Sequence, residues 1–111
     1  MIYVIGIGVQ GRASLLERPL DIIKKAGLLV GGRRHLDEFP KAKAKKVALG
    51  SITEAAAAIE KFIQTNRKPV AVLATGDPLL FGIGSFIIKR FGKNRVEVIP
   101  NVSAIQEAFA R

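Results

Sequence analysis

Short apolar runs alternate with helical patterns along the whole chain, and few folds accept that alternation. The runs are Ile2 to Ile7, Leu28 to Val30, Lys46 to Leu49, Val70 to Ala74 and Val96 to Ile99. Val70 to Leu73 is apolar without a break, the pattern of a strand covered on both faces. Between the runs, Pro19 suits a first helical turn and Gly27 a helix end, so a helix is predicted around Pro19 to Ala26. A short helical turn follows Gly31-Gly32, around Arg33 to Phe39. Ser51 and Glu54 have capping-box spacing, and Ile52, Ala55, Ala56, Ile59, Phe62 and Ile63 recur at helical intervals, which predicts a helix over Ile52 to Asn66. Two more helices are expected at Gly84 to Arg90 and Ala104 to Ala110. Strands alternating with helices imply an α/β fold with a mainly parallel five-stranded sheet flanked by helices. The sequence has no internal repeat, and its one biased segment, Lys41 to Lys46, reads as a connection.

Size and composition narrow the possibilities. A chain of 111 residues, 49% hydrophobic and 24% charged, buries one core and makes one domain, residues 1 to 111. With no cysteine and a single histidine, the sequence offers no disulfide framework, catalytic thiol or multi-histidine metal site, so no metal is expected. No run approaches a membrane span of about 20 residues, and Met1 leads into a strand pattern without a basic leader. The expectation is a cytoplasmic protein with no membrane partner. The net charge of +9 gathers at Arg33, Arg34, Lys41, Lys43, Lys45, Lys46, Lys89, Arg90, Lys93 and Arg95. Such a surface attracts nucleic acid, phosphates or a polycarboxylate. Phe62, Phe81, Phe86 and Phe91 are embedded in apolar patterns and are not interleaved with the basic residues, so nucleic acid is not the leading partner.

Two glycine-containing turns follow strand patterns. Gly6-Ile7-Gly8-Val9-Gln10-Gly11 fits a dinucleotide fingerprint, whose glycines allow a tight turn and close approach of a pyrophosphate. That fingerprint needs its helix to open at the glycines, whereas Pro19 places the helix later, and Gly31-Gly32-Arg33-Arg34 stands where an acidic ribose ligand belongs. A nicotinamide cofactor is therefore disfavoured against glycines that simply turn the chain. The second turn, Ala74-Thr75-Gly76-Asp77-Pro78, puts small residues and one carboxylate after a buried strand, where open α/β sheets bind ligands.

Taken together, Ile2 to Gly11, Thr75 to Gly84 and Pro100 to Ala104 resemble the three N-terminal signatures of the tetrapyrrole (class III) methylases, which use S-adenosylmethionine. Within that family, Val30-Gly31-Gly32-Arg33-Arg34-His35-Leu36, with Phe39-Pro40 and Val96-Glu97-Val98-Ile99-Pro100, is similar to the precorrin-6Y C5,15-methyltransferase group of cobalamin biosynthesis. The resemblance implies C-methylation of a tetrapyrrole (precorrin) substrate, with the methionine end of the cofactor against Val9, Gly76, Asp77, Leu80, Ser103 and Ala104. Asp77 can face the ammonium or accept backbone amides of its turn, and Ser103 can bond the ligand while capping a helix. Arg12, Arg33 and Arg34 are candidates for the substrate's carboxylates. No catalytic base is needed, because a sulfonium is already a good leaving group and the macrocycle carbon is electron-rich. His35 reads as structural in preference to catalytic.

The sequence departs from the family at Val9, where proline is usual, at Gln10, where glycine is usual, and at Asn101, which replaces another glycine. Asn tolerates a left-handed backbone, so the turn before Ser103 is expected to survive. Family members carry a second α/β domain, and the chain is expected to be the N-terminal half of the fold, inactive alone. Because family members are homodimers, self-association is expected too. Two other readings remain: an RNA-directed methylase of the same superfamily, and a non-catalytic interaction domain derived from the methylase half.

Overall fold

Five strands lie side by side, all parallel: β1 (Ile2–Ile7), β2 (Leu28–Gly31), β3 (Lys45–Ala48), β4 (Val70–Thr75) and β5 (Val96–Ile99), in the spatial order β3-β2-β4-β1-β5. The computed structural model describes residues 1–75 and 80–101 in full and the backbone of 77–79. The helices are α1 (Glu17–Lys25), α2 (Arg33–Leu36), α3 (Ile52–Thr65) and α4 (Asp77–Phe91), with short 3-10 turns at Arg12–Ser14 and Lys93–Arg95. The predicted strands are all present. The helix expected at Ala104 to Ala110 lies outside the described residues.

Register explains how the sheet is covered. Val47, Val30, Val72, Val4 and Val98 pair in a single row across all five strands. β-branched side chains fit a pleated surface well. This row belongs to the face under α3 and α4, where Ala55, Ile59, Leu80, Ile83 and Ile87 join it in one apolar cluster. Because successive strand residues point to opposite faces, Ile5, Ile7, Leu29, Ala71 and Leu73 form the second cluster. Leu15, Ile23, Leu36 and Phe39, from α1, α2 and their flanking segments, cover that side. On the second side, Arg18 of α1 forks onto Glu97 of β5, with N–H···O distances of 2.7 and 2.9 Å. Glu97 is held below the usual carboxylate range, chiefly by that hydrogen bond.

Local signals account for most boundaries. Ser51 Oγ accepts the Glu54 N–H at 3.1 Å, the N-terminal cap that the spacing implies. The lysine run divides: Lys41 and Lys43 lie in the connection, while Lys45 and Lys46 enter β3 as exposed residues. Lysines on an edge strand discourage pairing with other chains.

One helix differs from expectation. α4 begins at Asp77, seven residues before the predicted Gly84. Pro78 is the second residue of the helix, where its missing N–H costs nothing, and the two glycines inside the helix, Gly82 and Gly84, serve different ends. A Cβ on Gly84 would lie 2.8 Å from Cγ2 of Val98, so this glycine lets α4 sit directly on the valine row. Gly82 is exposed, with nothing within 4 Å of the place its Cβ would take. Substitution of the two should therefore have opposite effects. Gly82→Ala should stabilise the chain by about 0.5–1 kcal/mol through helix propensity. Gly84→Ala should forfeit that gain to overpacking and come out destabilising, with Val98→Ala restoring part of the loss; urea denaturation of the four proteins checks it.

Candidate functional site

Parallel strands end on one edge, so the segments after β1, β2, β4 and β5 emerge together. β1 and β4 are neighbours in the middle of the sheet, yet the chain leaving β1 goes to the α1 face and the chain leaving β4 goes to the α4 face. A crevice at such a reversal is where open α/β sheets bind ligands.

The loop after β1 is built around three polar groups. Gly11 N–H donates to Gly8 O at 2.9 Å, closing the turn, and Gly11 itself has a φ of +63°, which glycine adopts without strain. Gly8 N–H donates to Ser14 Oγ at 2.9 Å, and the Ser14 hydroxyl donates to Gly11 O at 2.6 Å. From β5's end, Asn101 Nδ2 donates to Ser14 Oγ at 3.0 Å and reaches Ser14 O and Gly6 O at 3.3 Å. The Ser14 hydroxyl thus gives its one hydrogen and accepts two. Asn101 is 7% exposed, the buried polar residue of the described core. The loop's tip points the other way: Val9 is fully exposed at 103%.

Asn101 does not play the part expected of it. Among the described residues only Gly11 and Gly92 have positive φ, so Asn101 is not left-handed. Its side-chain amide ties the ends of β1 and β5 together, which no glycine can do.

On the other side of β1, the turn formed by α2 reaches both loops. His35 Nε2 meets Thr75 Oγ1 at the end of β4, and Glu38 Oε2 accepts the Arg12 backbone N–H at 3.3 Å. Arg12, Arg33 and Arg34 are all exposed. Leu80 has withdrawn into the core: it is 1% exposed and belongs to the α4 cluster, and a Cβ on Gly6 would lie 3.2 Å from its Cδ2. Asp77 opens α4. Gly76, Ser103 and Ala104 lie outside the described residues. Among the described residues no group of three His, Cys, Asp or Glu side chains gathers to hold a metal, and no helix is long and apolar enough to cross a membrane.

Ser14, Glu38, Thr75 and the amide of Asn101 were not singled out as site residues from the sequence. Only Ser14 carried a local signal, a hydroxyl three residues after a glycine turn; the others act across 26 to 95 residues of chain.

Burial lowers the pKa of His35 below its ordinary value, and the charge of Arg34 pushes the same way against an opposing pull from Glu38. The unfolded chain therefore binds a proton at this site at a pH where the folded chain does not. Stability contributed by neutral His35 is complete above the ordinary imidazole pKa and is lost as pH falls below it. The melting temperature should fall from about pH 7.5 to about pH 5.5, and less steeply in His35→Gln. A thermal melt series checks the sign; a steeper fall in the variant would refute it.

Comparison with known proteins agrees with this geometry. The family model for tetrapyrrole (corrin/porphyrin) methylases matches residues 1–111. The cobalt-precorrin-7 C(5)-methyltransferase of Salmonella typhimurium is 37% identical over 111 residues, covering 100% of this chain and 54% of that protein. The precorrin-6Y C(5,15)-methyltransferase (decarboxylating) of Mycobacterium tuberculosis is 35% identical over 114 residues, covering 100% of this chain and 28% of that one. The crystal structure of a cobalamin biosynthesis precorrin-6Y methylase from Archaeoglobus fulgidus superposes with a TM-score of 0.66 at 28% identity, covering 100% of this chain and 57% of that one. The chain spans about half the length of the shorter curated relatives it matches and about a quarter of the longer. With the match running from the first strand to the last residue, the chain belongs to the tetrapyrrole (corrin/porphyrin) methylase family.

Proposed function

We propose that this chain is the N-terminal part of an S-adenosylmethionine-dependent methyltransferase that methylates a ring carbon of a reduced corrinoid precursor in cobalamin biosynthesis. The observation that carries this reading is the reversal between β1 and β4, neighbouring strands whose chains leave toward opposite faces of the sheet, with the Gly8–Gly11 loop and Thr75 at their shared edge. The relatives named as precorrin-6Y and cobalt-precorrin-7 methyltransferases support the choice of substrate class.

The residues present fit such a donor. Val9 offers an exposed apolar side chain at the loop tip, and Gly6, at the end of β1, lies against the buried Leu80. Val9, Gly76, Asp77, Ser103 and Ala104 would hold the methionine end, with Asp77 toward its ammonium, while Leu80, buried in the core, would support that edge without touching the ligand. When bound, S-adenosylmethionine supplies an electrophilic methyl on a sulfonium. The protein's work is then alignment and exclusion of water. Arg12, Arg33 and Arg34 would meet the carboxylates of the macrocycle from an exposed rim, where arginine forks suit carboxylates.

Titration of the chain with S-adenosylmethionine, followed by NMR, should move the signals of Val9 and Thr75 with weak affinity. Asp77→Ala should weaken that binding about tenfold, the loss of one charge-assisted contact. Methylation of a corrinoid precursor should be undetectable with this chain alone, which spans about half of its shorter relatives. Robust turnover by the chain alone would overturn the assignment of a partial site. Salt-dependent binding of RNA in place of a polycarboxylated tetrapyrrole would favour the RNA-directed reading.

Self-association is part of the same proposal. Leu16 is 56% and Phe81 53% exposed, large apolar surfaces for a chain this small. Sedimentation equilibrium should show dimers, and Phe81→Ser should shift the population toward monomer; a monomer at all concentrations would remove this element.

A further inference from the structure

α2 has only four residues, Arg33–Leu36, too few to be stable on helix propensity. It is held from below, because Leu36 is 6% and Phe39 5% exposed in the cluster on the α1 face. The turn that continues it is closed by Glu38 N–H donating to His35 O at 3.1 Å and Phe39 N–H donating to Leu36 O at 3.1 Å. From this anchored turn two side chains, three residues apart, reach two different loops. His35 meets Thr75, the last residue of β4, 40 residues away. Glu38 accepts the backbone N–H of Arg12, 26 residues away. It also fills the space beside Gly11, where a Cβ would lie 2.7 Å from its carboxyl carbon.

The two targets lie on adjacent strands. β1 pairs with β4 through Ile7 and Thr75. Gly11 and Arg12 close the loop that carries Val9, and Thr75 leads into the turn before α4. We infer that α2 and the turn after it form a brace that sets the separation of these two loops, with His35 and Glu38 as positioning residues for the methyl donor's site. This rests on the reading of that edge as the donor site. The inference gives the Gly-Gly-Arg-Arg-His-Leu run a second duty: Arg33 and Arg34 face solvent while His35 and Glu38 fix the loops.

Ordinary stability residues would behave differently. His35 is half-buried, and Glu38 and Thr75 are exposed. Bonds among such groups add little to global stability. Their effect should be local.

Amide hydrogen exchange, melting temperature and S-adenosylmethionine titration are to be measured on His35→Ala, His35→Gln, Glu38→Ala and Glu38→Gln. The alanine variants should melt within about 4 °C of the wild type. Exchange at Gly11, Arg12 and Thr75 should rise at least about tenfold, each alanine loosening both loops. The double alanine variant should loosen them less than the product of the single effects, because one brace is already broken. Donor affinity should fall about tenfold in the alanine variants and recover in the glutamine variants, which keep a hydrogen-bonding group at the same reach. Unchanged loop exchange would overturn the brace, as would exchange rising uniformly over the sheet with a large loss of melting temperature. Loosened loops with unaltered affinity would overturn the positioning role. If the wild-type chain does not bind the donor at millimolar concentration while the loops still loosen, the donor reading fails and the brace stands.

Discussion

One row of valines sets the rest of the molecule. Val47, Val30, Val72, Val4 and Val98 share a register across five parallel strands, so a slip of one residue in any strand would turn its apolar set to the wrong face. The row also fixes the approach of α4, because the helix rests on Val98 at a position that only glycine leaves open. Once the strands are parallel and in register, their carboxyl ends share one edge. The site is a consequence of that alignment more than of any single residue.

Parallel order alone would leave loops that differ in length and direction. The chain solves this with a few polar side chains that span long sequence separations. Ser14 and Asn101 close one side of the β1 loop, and Glu38 and His35 reach across the other. Asn101 is buried, and a buried amide is tolerable only when its hydrogens are used; here the same need that satisfies the amide holds the loop. Val9, left outside this network, is the exposed tip. A loop whose flanks are already hydrogen-bonded has less conformational freedom to lose should its tip take part in binding.

Strands, the α/β class and the capped helix from Ile52 were legible because apolar runs, helical periodicity and Ser51 act over a few residues. The helix expected at Gly84 to Arg90 starts seven residues earlier, at Asp77, and Gly84 lies inside it because the helix needs a residue without a Cβ against Val98. Asn101 was read by backbone preference, but its side chain decided its place. Arg12, Arg33 and Arg34 follow β1 and β2 and are exposed. The partners of Glu38 and Thr75 had no local signature at all, because their contacts exist only once β1, β2 and β4 have been brought side by side.

Charge completes the logic of the edge. A sulfonium donor needs no acid or base to make its leaving group depart, so a methylase site can be assembled from glycine turns, apolar contacts and a single carboxylate. Titratable side chains are then free for other work. His35, the chain's one histidine, is pushed toward its neutral form by burial and by Arg34. Neutral imidazole meets the Thr75 hydroxyl as donor or acceptor according to its tautomer. A protonated ring would add a positive charge beside Arg34 and lose its acceptor. The environment that disfavours the proton thus keeps His35 suited to hold β4's end, while Arg33 and Arg34 of the same short helix stay exposed to solvent.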